Sequence, residues 1–465
     1  MRCMRSNTPL ILTFSALLLI HLLFFTFTLI RPPDPLSDST EYLNASGNIY
    51  TRGTLYCGEL SEPIREELFT RRPPLYPVLL GIALLTGSTI PVLLLQTLFS
   101  MLSLLLVFKI FGPGTGNRGN PFYPLFFLFL LFTPAQFIYS NRIMAEIPFQ
   151  LILVLMAWSV HRHFNPGTAE HPPLSQARYV WLFYLLLSMG MAMKPVLFPF
   201  LIPVALFSIF AFLRTKKTAW FTGLLIPLIW ISAYSIYNKH RSGSIQYSSI
   251  QTANLVNYNL RYFVLSEEGA EKAAETVDRL YEHCGSAQVY AEKNRCLTAG
   301  VREIISEKPI RYALFHLRGS VRYFLDPGRF DLGTFFGLSP PDATGILKVL
   351  HEDGLRGIFR FLKNQGWGWI ALLGSIALFK LFKGAGLLLF LFRGRNELPF
   401  KIFLVLLIGY LALVTGPLGA SRFMLPVELL VIGAALKGWM MWLKRTGSPP
   451  TAQVSCKAPS DPGRV

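Results

Sequence analysis

The first long apolar stretch, residues 10–30, reads LILTFSALLLIHLLFFTFTLI and decides the class of fold. A helix needs ~20 mainly apolar residues to cross the hydrocarbon of a bilayer, and similar runs recur along the chain. Of its 465 residues, 52% are hydrophobic and 15% are charged. Soluble domains carry about 25% charged residues. The sequence therefore predicts an all-α, polytopic membrane protein with about ten transmembrane helices.

The distribution of Lys and Arg predicts how the helices are oriented. The first run is longer than the apolar core of a signal peptide, about 7–15 residues, and Arg31 follows it directly, so we expect a retained helix with a cytoplasmic N-terminus. The clearest cytoplasmic marker is the loop Arg214-Thr-Lys-Lys217. The net charge of +18 is thus a topology signal. No basic patch interleaved with aromatic residues predicts nucleic-acid binding.

Four regions follow from this pattern. Residues 1–237 form an N-terminal membrane module whose first outer loop, 31–89, carries the candidate catalytic groups. Residues 238–365 are predicted to form a mainly helical extracytoplasmic cap, and residues 366–445 the last transmembrane helices. The tail, 446–465, is rich in Pro and Ser, which predicts a disordered cytoplasmic segment.

The predicted spans follow the apolar runs. They are Leu10–Ile30, Ile90–Phe111, Phe122–Tyr139, Ile143–Val160, Tyr179–Met193, Val196–Leu213, Trp220–Tyr237, Trp367–Phe392, Ile402–Gly416 and Phe423–Leu443. Leu75–Gly87 is too short to cross and predicts an interfacial helix. Lys380 and Lys383 fall within the eighth span and favour a span that ends early or is broken there.

The polar outer segment shows helical periodicity in three stretches, Glu267–Cys284, Val289–Ser306 and Ile310–Leu325. Cys284 and Cys296 lie in this segment. They would pair if the segment faces an oxidising compartment, and two free thiols are the alternative. No Cys and His spacing typical of a metal site occurs, so we do not expect a metal ion.

Asp38 is the first candidate for chemistry. A carboxylate held near the membrane surface can act as a general base toward a hydroxyl or amine. The competing interpretation is a helix N-cap, since an Asp before Ser-Thr commonly caps the helix that follows, here Ser39–Ala45. Asp34 and Glu41 are alternative carboxylates in the same loop.

Arg71 and Arg72 stand before Pro73-Pro74, which stiffens the backbone that presents them. A guanidinium group matches the oxygens of a phosphate, so this pair is a candidate phosphate ligand. Anchoring to lipid head groups is the equally open alternative.

Three more ionisable residues are predicted at the same outer face. Glu146 begins one span, Lys194 lies at the break between two others, and Arg422 begins the last. Charges at this depth are costly and are commonly functional, and single charged side chains that snorkel to the surface at helix ends are the alternative. His21 and Glu428 lie within spans and predict interhelical contacts instead.

These motifs resemble a known family. Asp38-Ser-Thr-Glu-Tyr42-Leu-Asn-Ala45 is similar to the first-loop motif of GT-C glycosyltransferases, in the branch of protein O-mannosyltransferases and aminoarabinose transferases. Arg71-Arg-Pro-Pro-Leu-Tyr-Pro77, Arg142-Ile-Met-Ala-Glu146-Ile-Pro148 and Arg422-Phe-Met-Leu-Pro426 resemble later landmarks of that branch. The chain departs from the pattern at Ser39 and Arg71, where the family's members often carry acidic residues. We expect substrate choice to be set at these two positions.

The resemblance implies a GT-C fold and transfer of a sugar from a polyprenyl-phosphate donor to a lipid, glycan or protein acceptor, with inversion. It implies Asp38 as the general base, with Arg422, Arg72 and Lys194, in that order, as ligands of the donor phosphate. The other expected substrate-binding residues are Glu146, Arg71, Tyr42 and Glu41. The expected location is a bacterial inner membrane with the site facing outward. No cofactor is expected.

Two other functions remain open. A transporter or flippase of polyprenyl-linked saccharides would use the same ligand but show inverted repeats and broken mid-span helices. A membrane-bound assembly factor whose cap binds partner proteins is the third possibility.

Overall fold

The computed structural model describes residues 8–113, 120–165, 174–287, 289–338, 366–393 and 397–446. Every regular secondary-structure element within these residues is a helix. The helices are α1 Thr8–Ile30, α2 Ser37–Arg52, α3 Leu75–Thr86, α4 Ile90–Phe111, α5 Phe122–Leu131, α6 Ala135–Ser140, α7 Glu146–Phe164, α8 Leu174–Met193, α9 Leu201–Thr215, α10 Ala219–Ser242, α11 Ile250–Asn254, α12 Arg261–Glu268, α13 Ala270–Gly285, α14 Tyr290–Glu307, α15 Pro309–Leu325, α16 Arg329–Phe336, α17 Trp367–Phe392, α18 Leu398–Val414 and α19 Ser421–Thr446.

Six of the described helical segments are long and apolar enough to cross a membrane. They are α1, α4, the segment Pro195–Thr215 that contains α9, α10, α17 and Ser421–Leu443 of α19. α3, α5, α8 and α18 are apolar but shorter. The chain is therefore a polytopic helical membrane protein, as its composition predicts. The predicted tail from residue 447 onward and residues 339–365 of the predicted cap lie outside the described residues.

The last helix, α19, lies at the centre of the bundle. It is the most buried of the six candidate spans, and α1 is the most exposed. α19 packs against α4, α7 and α17, and α7 packs against α8. α17 and α19 cross closely at two glycines, because a Cβ at Gly438 would lie 2.0 Å from the carbonyl oxygen of Gly386. Small residues of this kind let the backbones of membrane helices approach.

Two predicted helices are interrupted in the structure. The span predicted at Phe122–Tyr139 ends as α5 at Leu131, and α6 begins at Ala135 after Pro134. Proline lacks the N–H that would continue the helix, and its ring clashes with the preceding turn. The helix predicted at Glu267–Cys284 is divided at Gly269, which has a φ of 95° that favours glycine.

At Lys380 and Lys383 the sequence predicts that the span ends early or is broken. This prediction is wrong, because α17 continues through both residues without a break. Both ammonium groups are buried against Glu428 of α19: Lys383 contacts it directly, and the Lys380 Nζ lies 3.9 Å away. The interhelical role predicted for Glu428 is confirmed. His21 also joins two helices, since its Nε2 lies 2.8 Å from the Ser100 Oγ of α4.

The polar segment after α10 forms a small helical unit with a core of its own. Its core includes Val256, Leu260, Val277, Leu280 and Val301. A disulfide between Cys284 and Cys296 links α13 to α14, which decides between the two states predicted for these cysteines.

Gly438→Ala is expected to lower the thermal midpoint of the detergent-solubilised protein. The added Cβ would overlap the Gly386 carbonyl oxygen and force α17 away from α19, and overpacking of this kind costs about 1–3 kcal/mol. Gly374→Ala in α17 is the matched control, because no atom lies within 4 Å of its added Cβ. Equal midpoints for the two variants would contradict this account of the crossing.

Candidate active site

Seven charged residues form one continuous set of ion pairs, called here the charge network. It comprises Arg71, Glu41, Arg72, Asp38, Arg422, Glu146 and Lys194, in order of contact. All seven were predicted from the sequence as site residues, and the structure brings all of them together. The eighth, Tyr42, lies beside the network with its ring 5.0 Å from the Arg72 guanidinium carbon.

Helix α2 presents the first three of these side chains. Asp38, Glu41 and Tyr42 are three and four residues apart, a spacing that places side chains on one helical face. The N-cap interpretation of Asp38 is wrong: the helix begins at Ser37, and Asp38 lies inside its first turn with its carboxylate directed at two arginines. An acidic residue there also interacts favourably with the helix dipole.

The loop before α3 supplies the second part of the network. The Arg72 Nη2 donates to the Asp38 Oδ1 at 2.6 Å, and its Nε donates to the Glu41 Oε2 at 2.6 Å. The Arg71 Nε donates to the other oxygen of Glu41 at 3.2 Å. Ser248 of the segment after α10 donates to the Arg71 carbonyl at 2.8 Å. The loop is thus held between α2 and the outer segment.

The third part comes from helix ends far away in the chain. The Arg422 Nη2 donates to the Asp38 Oδ2, and its Nε donates to the Glu146 Oε1 at 2.6 Å. The Lys194 Nζ donates to that same oxygen at 2.8 Å. The second oxygen of Glu146, Oε2, is buried and has no hydrogen-bond partner among the described residues.

The electrostatics of the network favour an ionised Asp38. Burial alone would raise the pKa of this carboxyl, but the positive charges of Arg422 and Arg72 outweigh that effect and hold the pKa well below its usual range. Burial raises the pKa of the neighbouring Tyr42 hydroxyl, so that group stays protonated. The network contains four cations and three carboxylates, so it carries one formal positive charge in excess.

Two further carboxylates fix the position of Arg422, and the sequence analysis missed both. The Asp326 Oδ2 accepts the backbone N–H of Ser421 at 2.6 Å, and Asp331 accepts the Ser421 hydroxyl and the Tyr139 hydroxyl. Burial raises the pKa of the Asp331 carboxyl above its ordinary value. The Asp326-Pro-Gly turn directly follows α15, and no local signal in the sequence connects it to residue 421, which lies more than 90 positions away.

The described acidic side chains of this site do not form a group that could hold a metal ion. Each acidic side chain of the network faces an arginine or lysine, and the described residues contain no group of three His, Cys, Asp or Glu side chains arranged to hold a metal ion. The arrangement suits an anionic ligand that competes with the carboxylates for the arginines.

Comparisons with known proteins give limited similarity. No protein-family model and no curated protein matches the chain. Two crystal structures of ArnT from Cupriavidus metallidurans align with it. In the apo state the identity is 11%, with 93% of this chain and 78% of that chain covered and a TM-score of 0.36. In the structure bound to undecaprenyl phosphate the identity is 14%, with 95% of this chain and 79% of that chain covered and a TM-score of 0.37. The function proposed below rests on the geometry of the charge network itself.

Glu146→Gln is expected to destabilise the protein by on the order of 3–5 kcal/mol, because Arg422 and Lys194 would keep their buried positive charges without this counter-charge. The free energy of unfolding in mixed micelles measures the effect. Glu275→Gln removes an acid from an exposed pair of ion contacts, and no measurable change is expected there. Similar losses in both variants would refute the importance of the buried pair.

Proposed function

We propose that the protein is a membrane glycosyltransferase that moves a sugar from a polyprenyl-phosphate donor to an acceptor on the outer side of a bacterial inner membrane. The observation that carries this proposal is the carboxylate of Asp38 held between two arginines, Arg72 and Arg422, at one end of the helix bundle. A base and phosphate-binding cations are thereby joined in one site.

The excess positive charge supports an anionic ligand. A donor phosphate entering between Arg72 and Arg422 would take hydrogen bonds that these side chains now give to Asp38. Arginine is well suited to this exchange, because its planar fork fits phosphate and carboxylate alike. Each guanidinium that turns to the phosphate leaves Asp38 more basic, so donor binding would prepare the base for its task.

In the proposed reaction Asp38 removes the proton from an acceptor hydroxyl or amine. The freed electron pair forms a bond to the anomeric carbon of the sugar, and the bond from that carbon to the phosphate oxygen breaks. Because attack and departure occur on opposite sides, the anomeric configuration inverts. Arg422, Arg72 and Lys194 stabilise the negative charge that the departing polyprenyl phosphate gains.

The outward orientation is supported by two features. Lys and Arg residues such as Arg214 and Lys217 gather at the ends of the helices opposite the network, which is typical of a cytoplasmic face. The disulfide between Cys284 and Cys296 lies in the polar unit whose Ser248 contacts the network loop, and disulfides persist in oxidising compartments.

A transport function is the second candidate, and a specific observation favours it. Lys380, Lys383 and Glu428 form a buried charged cluster within α17 and α19, and ionisable residues within spans commonly mark a substrate path. If protein in vesicles moved a labelled polyprenyl-linked sugar across the bilayer without cleaving its bond to phosphate, transport would replace the transferase proposal.

Asp38→Asn is expected to lower the rate of sugar transfer by about 10²–10⁴-fold, because the amide cannot accept the acceptor's proton. Purified protein, labelled polyprenyl-phosphate sugars and an extract of membrane acceptors provide the assay, with release of polyprenyl phosphate as the readout. Asp34→Asn is the matched control: this carboxylate is exposed in the same loop and has no described ion pair with the network. Full turnover in Asp38→Asn would remove Asp38 from the mechanism.

The pH dependence of kcat/KM reports the pKa of the base in the free enzyme. Because Arg422 and Arg72 depress the pKa of Asp38 below the ordinary value of about 3.9, its carboxylate stays ionised, and the ion pairs stay intact, as the pH falls from 7 to about 5. Arg72→Gln removes one of these charges and is expected to move the acid limb to higher pH. An acid limb that is the same in both proteins would contradict this assignment.

A further inference from the structure

A cavity lies toward the opposite end of the bundle from the charge network. Its lining comes from α7, α8, α9, α10 and α18. Val160, one of its lining residues, lies about 21 Å along α7 from Glu146. Phe207 and Ile402 also line it, and 43% and 49% of their surfaces are exposed. The cavity therefore opens toward the lipid between α9 and α18.

Three hydroxyl groups in the cavity wall, those of Ser159, Tyr184 and Ser208, already make hydrogen bonds within the protein. The Tyr184 hydroxyl contacts the Ser208 hydroxyl and the Trp220 carbonyl oxygen. Ser208 also donates to the Val204 carbonyl at 2.6 Å, and Ser159 donates to the Met156 carbonyl at 2.7 Å. The wall thus offers a ligand mainly hydrocarbon contact, which suits a flexible alkyl chain better than a polar molecule.

The part of the cavity rim near Tyr179 of α8 carries positive charge. Tyr179 lines it, and the Arg178 Nη2 donates to the Tyr179 hydroxyl at 3.1 Å. Arg162 also interacts electrostatically with that hydroxyl, and both arginines are exposed. Further exposed cations, Arg214, Lys216 and Lys217, lie in the turn before Trp220, which lines the cavity.

Within the part of the chain that the structure describes, acidic side chains do not balance these cations. In the described residues that connect the helices at this face, the one acidic residue is Glu397, and both its oxygens accept from Lys437, at 2.6 and 2.7 Å. An apolar cavity whose rim is basic has the complementary chemistry of an anionic phospholipid, and basic pockets between transmembrane helices on the cytoplasmic side bind such head groups.

We propose that this cavity binds one anionic phospholipid of the cytoplasmic leaflet. One acyl chain occupies the space between α7, α8, α9 and α18, and the phosphate lies at Arg162 and Arg178. This lipid site is separate from the charge network, and its occupancy does not depend on the reaction proposed there.

The test uses the emission of Trp220, which is 9% exposed and therefore shielded from bulk lipid. The full chain is placed in phosphatidylcholine nanodiscs that contain a minor fraction of phosphatidylglycerol with brominated acyl chains. Bromine quenches tryptophan only at close range, and the difference between the wild type and Trp220→Phe isolates the Trp220 emission. Brominated phosphatidylglycerol is expected to quench that emission more than brominated phosphatidylcholine at the same fraction.

Variants separate the head-group contacts from the apolar contacts. Replacing Arg162 and Arg178 together with Gln is expected to abolish the preference for phosphatidylglycerol, whereas Arg302→Gln in the exposed surface of α14 leaves it unchanged. Val204→Phe narrows the cavity and is expected to remove quenching by both lipids. Equal quenching by the two lipids in the wild type, or no quenching of Trp220, would overturn the proposal. Displacement of the brominated lipid by a polyprenyl phosphate would overturn it too, by assigning the cavity to the donor's tail.

Discussion

The structure of the site depends on the ion pairs that Asp38 makes with two arginines. Arg72 belongs to the first loop, and Arg422 lies 384 positions after Asp38 at the start of the last helix. Removing a charge from water is costly unless an opposite charge lies close to it. That requirement draws together α2, the loop before α3, and the ends of α7, α8 and α19. Segments that are far apart in the sequence thus meet in a single charged set.

The same pairs limit what the site can do in the state seen here. Asp38 is held as a weak base by its two partners, while the network as a whole retains one positive charge in excess. If an anion bound to the arginines, Asp38 would become a stronger base and the excess positive charge of the network would be neutralised. Under the proposed function, a phosphate-linked substrate would therefore complete the site as well as occupy it. Asp326 and Asp331 contribute indirectly, by holding the first residue of α19 where Arg422 reaches both carboxylates.

Much of this fold was predictable because the hydropathy of a short stretch of sequence indicates whether that stretch forms a membrane-spanning helix. The runs Ile90–Phe111 and Trp367–Phe392 form helices with the predicted bounds, and the topology rule grouped Asp38, Arg72 and Arg422 at one face. The sequence analysis failed where a distant partner decides the outcome. Lys380 and Lys383 do not break α17, because Glu428 compensates their charge from another helix. The ion pairs of Glu41 and the contacts of Asp331 likewise join segments that no periodicity connects.

A structure of the protein with a polyprenyl phosphate bound tests the central claim most directly. The account predicts that the phosphate oxygens lie within hydrogen-bond distance of the guanidinium groups of Arg72 and Arg422, and that at least one of these groups has turned away from Asp38. The account would be contradicted if the phosphate were bound elsewhere on the protein while both ion pairs of Asp38 remained as they are here.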